Sequence, residues 1–231
     1  MYDGYKKYGS DEASGYDAAR MQEPLWWEEE QFVKEYFHTH QPQRILDAPV
    51  GTGRFLHHYV QAREVVGIDI SEEMLKESTA KLRELAHPHI RIGRGDIFHL
   101  EFADACFDLV LCWRFAHLVP ATLLADALRE LGRVTNGEVL MQAYVAWPYW
   151  RRVIVSLRRL PMKLYCRMTR SDPTAPPWMH IQAYYHTQET LEAKIRKAGL
   201  DMIERIEVGG YGESTVYAYR LRPLRTGGVR P

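Results

Sequence analysis

The feature that most restricts the fold of this chain is a regular alternation between short apolar segments and amphipathic helical segments. The apolar segments are RILDAP, EVVGIDI, IRIGRGDI, FDLVLCWR and GEVLMQAYV. Each is apolar along most of its length instead of at every second residue, which is typical of strands buried on both faces. Helical patterns lie between them, and Ser71 stands where the N-cap of EEMLKESTAKLRELA belongs. The alternation predicts an α/β fold in which helices cover both faces of a parallel sheet.

The C-terminal part of the chain follows a different pattern. A helical segment, QETLEAKIRKAGL, precedes the strand patterns DMIERIEV and STVYAYRL, which are connected by the glycine-rich turn GGYGE. Two strands joined by a turn of this kind are expected to pair antiparallel. The sequence therefore predicts a mostly parallel sheet that ends in one antiparallel pair.

Composition argues against several classes of protein. Hydrophobic residues make up 46% and charged residues 26% of the 231 positions, as in ordinary globular proteins. No apolar run approaches the roughly 20 residues of a membrane-spanning helix, and the N-terminus lacks the apolar core of a signal peptide. The three cysteines lack the spacing of a disulfide framework or zinc site, so we expect a cytoplasmic protein. A formal net charge of zero argues against a nucleic-acid partner.

A glycine-rich loop follows the first strand pattern, in the stretch RILDAPVGTGRFL. Gly51 and Gly53 let the backbone bend sharply and approach a ligand closely, and GRFLHHYVQA continues as a predicted helix. Asp69 ends the second strand pattern 18 residues after Gly51, where a carboxylate can accept the two hydroxyl groups of a ribose. The spacing alone fits a dinucleotide site, and a glycine turn without a ligand is the simpler alternative.

Two residues argue against a dinucleotide at this loop. The dinucleotide fingerprint needs a third glycine at position 56, where this chain has Leu56. Asp47 precedes the loop, and its negative charge would repel a pyrophosphate but favour a cationic sulfonium cofactor with an amino group.

Four segments in order resemble the motifs of class I S-adenosylmethionine-dependent methyltransferases that act on small molecules. The segments are LDAPVGTGRF, VVGIDISEEML, GDIFHLEFADACFDLVLCWRFAHL and YYHTQETLEAKIRKAGL. The resemblance covers roughly residues 43–222 and implies a Rossmann-like three-layer sandwich, with seven strands in the order 3-2-1-4-5-7-6 and strand 7 antiparallel. Residues 1–42 are then an N-terminal helical lid, 147–178 an inserted basic segment and 223–231 a flexible tail.

The resemblance also implies which positions meet S-adenosylmethionine. The matching positions are Asp47, Gly51 and Gly53 at the methionine end, Asp69 at the ribose, Ile70 and Met74 against the adenine, Asp96 at the adenine amino group with Ile97 packed beside it, and Trp113 and Arg114 beside the transferable methyl. Pro49 replaces the usual first glycine of this cofactor-binding loop, which fixes φ near −65° and removes one N–H group. In GYDAAR, Tyr16 and Arg20 are expected to close over the methionine end, together with Trp26 and Trp27.

The candidate catalytic residues follow the fourth strand, in CWRFAHLVP. His117 is a candidate general base because its ordinary pKa of about 6.5 suits proton transfer at neutral pH. Arg114 is a candidate partner for an anionic acceptor group. The simpler alternatives are a histidine that orients the loop or caps a helix, and an arginine that forms a salt bridge to the N-terminal segment.

No metal site is expected from the histidines that occur close together. The pairs are HTH (His38 and His40), HH (His57 and His58) and HPH (His87 and His89). They lie at helix ends or turns without carboxylate or cysteine companions in the sequence, which favours solvated side chains over metal ligands.

A basic segment distinguishes this chain. Residues 151–170 contain seven basic residues and no acidic one, interleaved with apolar residues. Three interpretations of residues 147–170 stay open: a lid helix with solvated arginines, a wall that receives an anionic acceptor, and a surface that contacts anionic lipid.

The expected activity is methyl transfer from S-adenosylmethionine to a small-molecule or glycolipid-type acceptor, at oxygen. A nitrogen acceptor is the first alternative. A cofactor-binding module that regulates a partner without turnover is the second.

Overall fold

The computed structural model describes residues 15–148, 150–151 and 184–224. The first part of the predicted N-terminal lid, the basic segment beyond Arg151 and the end of the predicted tail lie outside these residues. Within the described ranges, no helix is both long enough and apolar enough to span a membrane.

Helices and strands alternate as the sequence predicts. The helices of the described ranges are α1 (Tyr16–Arg20), α2 (Pro24–His40), α3 (Glu72–Leu85), α4 (Ala121–Val134) and α5 (Gln188–Lys197), with 3₁₀ turns at Leu56–His58 and Ala116–Leu118. The strands are β1 (Arg44–Asp47), β2 (Glu64–Asp69), β3 (Ile90–Arg94), β4 (Phe107–Cys112), β5 (Thr135–Ala146), β6 (Leu200–Tyr211) and β7 (Ser214–Pro223). Ser71 caps α3, because its Oγ accepts a hydrogen bond from the N–H of Met74 at 3.3 Å.

The seven strands form one sheet in the order β3-β2-β1-β4-β5-β7-β6. β1 pairs parallel with β2 and β4, β2 pairs parallel with β3 and β4 with β5. β7 runs antiparallel to both β5 and β6. The predicted Rossmann-like topology, including the antiparallel strand 7, is therefore confirmed.

Helices cover both faces of the sheet, which makes three layers. Ile45 of β1 packs with Val33 and Phe37 of α2. The next residue, Leu46, points to the opposite face and packs with Leu124 of α4, in a core that α5 also joins. Burial on both faces explains why the strands are apolar at consecutive positions.

The predicted helix GRFLHHYVQA is not an α-helix. The N–H groups of Leu56 and Tyr59 bond to carbonyl oxygens three residues earlier, at 3.3 and 3.1 Å, and the 3₁₀ turn covers only Leu56–His58. The side chains of Arg54 and His58 are held by carboxylates of α2. These contacts outweigh the local preference for a helix.

Candidate active site

The carboxyl ends of β1, β2 and β4 open onto a cavity of about 720 Å³. In open α/β sheets, ligands bind at this edge, outside the ends of parallel strands. A volume of this size lies in the range of small-molecule and cofactor sites. The loops after the three strands form most of the wall, and α1 and α2 contribute Tyr16, Asp17 and Trp26.

Asp69 occupies the end of β2 with its carboxylate fixed by two backbone N–H groups. Oδ2 accepts from Gly51 N–H at 2.9 Å, and Oδ1 accepts from Ser71 N–H at 2.9 Å. Since an ionised carboxylate offers about four acceptor positions, two remain for hydroxyl groups of a ligand. The residue is buried, and that burial raises the pKa of its carboxyl.

Asp47 occupies the corresponding place at the end of β1. Its Oδ2 accepts a 2.7 Å hydrogen bond from the hydroxyl of Tyr59, which is fully buried. Burial, with the nearby charge of Asp69, raises the pKa of Asp47 to about 7. Two buried carboxyl groups at one cavity disfavour a pyrophosphate and suit a ligand with a positive charge and hydroxyl groups.

Positions 51 and 53 of the loop each require glycine, but for different structural reasons. Gly51 lies in the cavity wall with φ of +55°, and a Cβ there would meet open space. Gly53 has φ of +73° and lies outside the wall. A Cβ on Gly53 would approach Leu56 Cδ1 to 2.7 Å and Ser78 Cβ to 2.9 Å. Gly53 therefore allows the loop to pack against α3, whereas Gly51 lets the backbone approach a ligand.

Pro49 also lies in the wall, and the Ala48–Pro49 peptide bond is cis. The adjacent Val50 N–H donates to the carbonyl oxygen of Ile68 at 2.8 Å, which ties the loop to β2. The loop therefore keeps its place beside the cavity although a proline holds the first glycine position.

Further predicted site residues lie in the same cavity wall. Among them are Ile70, Met74, Asp96 and Ile97. The N–H of Phe98 donates to Asp96 Oδ1 at 2.9 Å. Ten predicted site residues thus come together in one wall: Asp47, Pro49, Gly51, Asp69, Ile70, Met74, Asp96, Ile97, Trp113 and Arg114.

Comparisons with known proteins agree with this geometry. Residues 45–137 match the family of methyltransferase domains. A malonyl-acyl-carrier-protein O-methyltransferase from Erwinia billingiae is 38% identical over 117 residues, covering 49% of this chain and 44% of that protein. A phosphatidylethanolamine N-methyltransferase from Cereibacter sphaeroides is 33% identical over 106 residues, covering 45% of this chain and 51% of that protein. The chain spans about half the length of these curated relatives, or less.

Among solved structures, the magnesium protoporphyrin IX methyltransferase from Synechocystis PCC 6803 with bound SAH has the same fold. Its TM-score is 0.64 at 15% identity, over 91% of this chain and 94% of that one. Residues 45–137 therefore form a methyltransferase domain, within a chain that has the fold of a solved methyltransferase. The methyltransferase family implied by the four sequence motifs is confirmed for residues 45–137, and SAM, the cofactor that the motifs imply, is bound in another structure of that neighbouring enzyme.

Three predicted site residues lie outside the cavity wall, namely Gly53, His117 and Arg20. His117 sits in the 3₁₀ turn after β4, where its ring packs edge-on against Tyr144 with centroids 4.8 Å apart. Arg20 is buried, forms a 3.0 Å salt bridge with Glu23 and lies over the ring of Tyr211. Their roles in base catalysis and cofactor binding stay predictions.

The predicted aromatic cover over the cofactor is formed in part. Tyr16 and Trp26 lie in the cavity wall. Trp27 is half-exposed, and its indole N–H donates to the carbonyl oxygen of Met21. Trp27 therefore packs at the outer side of α2.

A buried charge cluster that no sequence motif indicated is formed by Glu29, Arg54, Arg114 and Gln142. Glu29 of α2 is fully buried. Its Oε2 lies 2.6 Å from Arg54, and its Oε1 accepts from Gln142 at 2.7 Å. Arg114 lies 3.5 Å from the same Oε1. Glu29 stands four residues from both Leu25 and Val33, the buried stripe of α2, so the helical period could have identified it.

Arg114 combines a cavity position with an uncommon backbone. Its φ is +57°, a left-handed conformation that side-chain-bearing residues seldom adopt outside functional or tightly constrained sites. The N–H of Arg114 donates to Gln142 Oε1 at 3.2 Å, which connects the loop after β4 to β5. The salt bridge to the N-terminal segment, the simpler alternative for this arginine, is therefore present in the form of the Glu29 contact.

One of the three histidine pairs has a carboxylate companion, contrary to the sequence interpretation. His57 Nε2 and His58 Nε2 lie 3.0 and 2.6 Å from Oε1 of Glu30. Burial alone would raise the pKa of Glu30, but its bonds to the two histidines and the charge of Arg54 hold that pKa well below its usual range. No local sequence pattern indicates this contact, because Glu30 and His57 are 27 positions apart in the chain.

Proposed function

We propose that the domain transfers a methyl group from S-adenosylmethionine to a carboxylate oxygen of a small-molecule acceptor. When bound, the cofactor supplies a methyl group on a sulfonium, which a lone pair of the acceptor attacks in line. The protein then has to align the acceptor and exclude water. The observation that carries the proposal is the pair of guanidinium groups at the Trp113 end of the cavity.

Arg114 and Arg54 form this cationic end. Both line the cavity, and Arg54 lies over the rings of Trp26 and Phe55, at 3.5 and 4.7 Å from their centroids. A guanidinium group binds a carboxylate through two parallel N–H bonds. Of the two, Arg114 makes the longer contact with Glu29, 3.5 Å against 2.6 Å, so we assign the acceptor's carboxylate to Arg114.

The chemistry of these side chains favours an acceptor that needs no base. Guanidinium groups donate hydrogen bonds but do not take up a proton at physiological pH. His117, the predicted base, packs against Tyr144 outside the wall. A carboxylate is already ionised at neutral pH, since its ordinary pKa is about 4, so methyl transfer to it requires no proton removal. The anionic acceptor of the sequence analysis becomes, in this proposal, a carboxylic acid.

The relatives are compatible with oxygen and with nitrogen as the methylated atom. One is named as an O-methyltransferase and another as an N-methyltransferase, at 38% and 33% identity. A nitrogen acceptor, a glycolipid acceptor and a binding module without turnover are therefore outcomes that the test must distinguish.

The test is label transfer from methyl-labelled S-adenosylmethionine to matched sets of carboxylic acids, amides, amines, phenols and glycolipids. We expect labelled product from an acid, and we expect mild alkali to release its label as methanol, because esters hydrolyse where N-methyl and ether groups do not. Alkali-stable label would contradict the carboxylate assignment. Absence of label from pure compounds and from cell extracts would favour a binding module.

A pair of arginine variants tests the assigned residue. Arg114→Gln should lower kcat/KM for the acid by about 100-fold, because a charge-assisted bidentate contact is lost, with cofactor affinity little changed. The matched control is Arg129→Gln in α4, whose guanidinium forms an exposed salt bridge with Asp126. Equal activity of both variants would exclude Arg114 as the acceptor's partner.

A further inference from the structure

Three potential metal ligands converge beside the cavity without lining it. Glu30 projects from α2, and His57 and His58 form the 3₁₀ turn that follows the glycine loop. Their ligand atoms all lie within 4.8 Å of one another. Glu30 Oε1 is 3.0 Å from His57 Nε2 and 2.6 Å from His58 Nε2.

We propose that Glu30, His57 and His58 bind a divalent transition-metal ion such as Zn²⁺. Two imidazoles and a carboxylate are a ligand set that suits zinc, and three protein ligands leave one tetrahedral position for water. Ligand atoms about 2.1 Å from a tetrahedral ion are about 3.4 Å apart. The two separations from Glu30 Oε1 are about 0.4 and 0.8 Å shorter than that value, and all three ligand atoms lie within 4.8 Å of one another, so side-chain rotations can bring the three atoms onto one ion.

The surroundings of the cluster hold its ligands in place. Arg54 Nε lies 3.3 Å from Glu30 Oε2, which leaves Oε1 directed at the histidines. Arg54 is itself fixed by Glu29 and by the ring of Trp26. A hydrogen-bond partner that orients a ligating carboxylate in this way strengthens metal binding.

The three side chains of the cluster differ in exposure, which leaves a route from solvent for the ion. The side chains of His58 and Glu30 are 11% and 15% exposed, whereas that of His57 is 51% exposed. An ion can therefore arrive from solvent on the His57 side. None of the three residues belongs to the cavity wall, so the ion has no place in the methyl transfer.

A metal ion at this position would connect two parts of the domain. Glu30 belongs to α2, which also carries Trp26 to the cavity wall. His57 and His58 belong to the segment that continues from the cofactor loop. A shared ion would fasten α2 to that segment and stabilise the folded chain by mass action.

The test is calorimetric titration of the metal-free, tag-free full chain with Zn²⁺, accompanied by thermal unfolding. We expect one ion per chain and a rise in Tm with added Zn²⁺. The double variant His57→Ala/His58→Ala should bind at least about 100-fold more weakly, and Glu30→Gln at least about 10-fold. In each variant the Tm rise should shrink accordingly.

The control is the double variant His87→Ala/His89→Ala. That pair also lies close together, with ring centroids 5.7 Å apart, but it belongs to no cluster of three ligands in the described part of the chain. Its zinc affinity should equal that of the unmodified protein. His57→Ala alone, at a half-exposed position, serves if a double variant fails to fold.

Two results would overturn the proposal. One is the absence of a binding heat and of a Tm shift with Zn²⁺, and with Co²⁺ and Ni²⁺ as alternative ions. The other is binding that the Glu30, His57 and His58 variants leave unchanged, which would assign the ion to other residues. Neither result bears on the proposed methyl transfer, because these side chains lie outside the cavity.

Discussion

The two ends of the cavity are built in different ways. At the cofactor end, Asp69 is held by Gly51 and Ser71, which are 18 and 2 residues away, and Asp47 by Tyr59, 12 residues away. At the end of Arg54 and Arg114, proposed for the acceptor and called the acceptor end below, the buried charge cluster joins Glu29 to Gln142 across 113 residues of sequence. The two carboxylates of the cofactor end are thus positioned within one strand-loop-strand unit, whereas the charge cluster at the other end forms only once α2, β4 and β5 have packed together.

The largest loss of stability is expected from substitution of Glu29, the one residue on which the charge cluster of the acceptor end depends. Glu29→Ala should lower the free energy of unfolding by about 3–5 kcal/mol, because it leaves buried Arg54 and Arg114 without their common carboxylate. Urea unfolding measures this, with Glu35→Ala, exposed on the same helix, as the control. A loss as small as that of the control would mean that the cluster does not hold the acceptor end together.

This contrast also explains how far the sequence could predict the molecule. The strand-helix alternation and the final antiparallel pair follow from patterns within short stretches, whereas the strand order and the position of Asp69 at the cofactor follow from the resemblance of four short motifs to a known family. Glu29 is one of three consecutive glutamates, and only its position on the buried stripe of α2 separates it from Glu28 and Glu30. The contact between Glu30 and the histidines depends on how α2 packs against the loop region, which no local pattern encodes.

At the cofactor end, stability depends on how the glycine-rich loop packs against α3. Gly53→Ala should lower the free energy of unfolding by about 3 kcal/mol, since an L-residue with φ of +73° is strained and the new Cβ would crowd Leu56 and Ser78. Gly93→Ala, where a Cβ meets open space, is the control and should cost nothing. Equal stability of both variants would mean that the loop can repack locally.

A measurement of cofactor affinity tests more directly whether Asp69, which is held by residues close to it in sequence, binds the cofactor. Asp69→Ala should weaken S-adenosylmethionine binding by about 100-fold, or about 2.7 kcal/mol, because the variant removes both the ribose acceptor and the anchor of the Gly51 N–H. Calorimetry on Asp69→Ala and on the adjacent, exposed control Glu72→Ala separates this from a general charge effect. Unchanged affinity in Asp69→Ala would show that the ribose is held elsewhere.

The smallest expected effect is the pH dependence of stability that comes from protonation of Asp47 at the cofactor end. The pKa of Asp47 is raised to about 7 in the folded protein, against about 3.9 in an unfolded chain. Between these values the folded state binds a proton that the unfolded state has released, so the stability from the neutral carboxyl is complete at acid pH and falls as pH rises towards 7. Asp47→Asn lacks this dependence.

The difference in unfolding free energy between unmodified protein and Asp47→Asn isolates that dependence, because other titrating groups cancel. Without cofactor, it should fall by about 2 kcal/mol between pH 5 and 7 and stay nearly constant above pH 8. A difference that rises with pH would mean that Asp47 is ionised and stabilised in the free protein. The cofactor end would then be charged before its ligand arrives, with Asp47 matched by a partner as Glu29 is at the acceptor end.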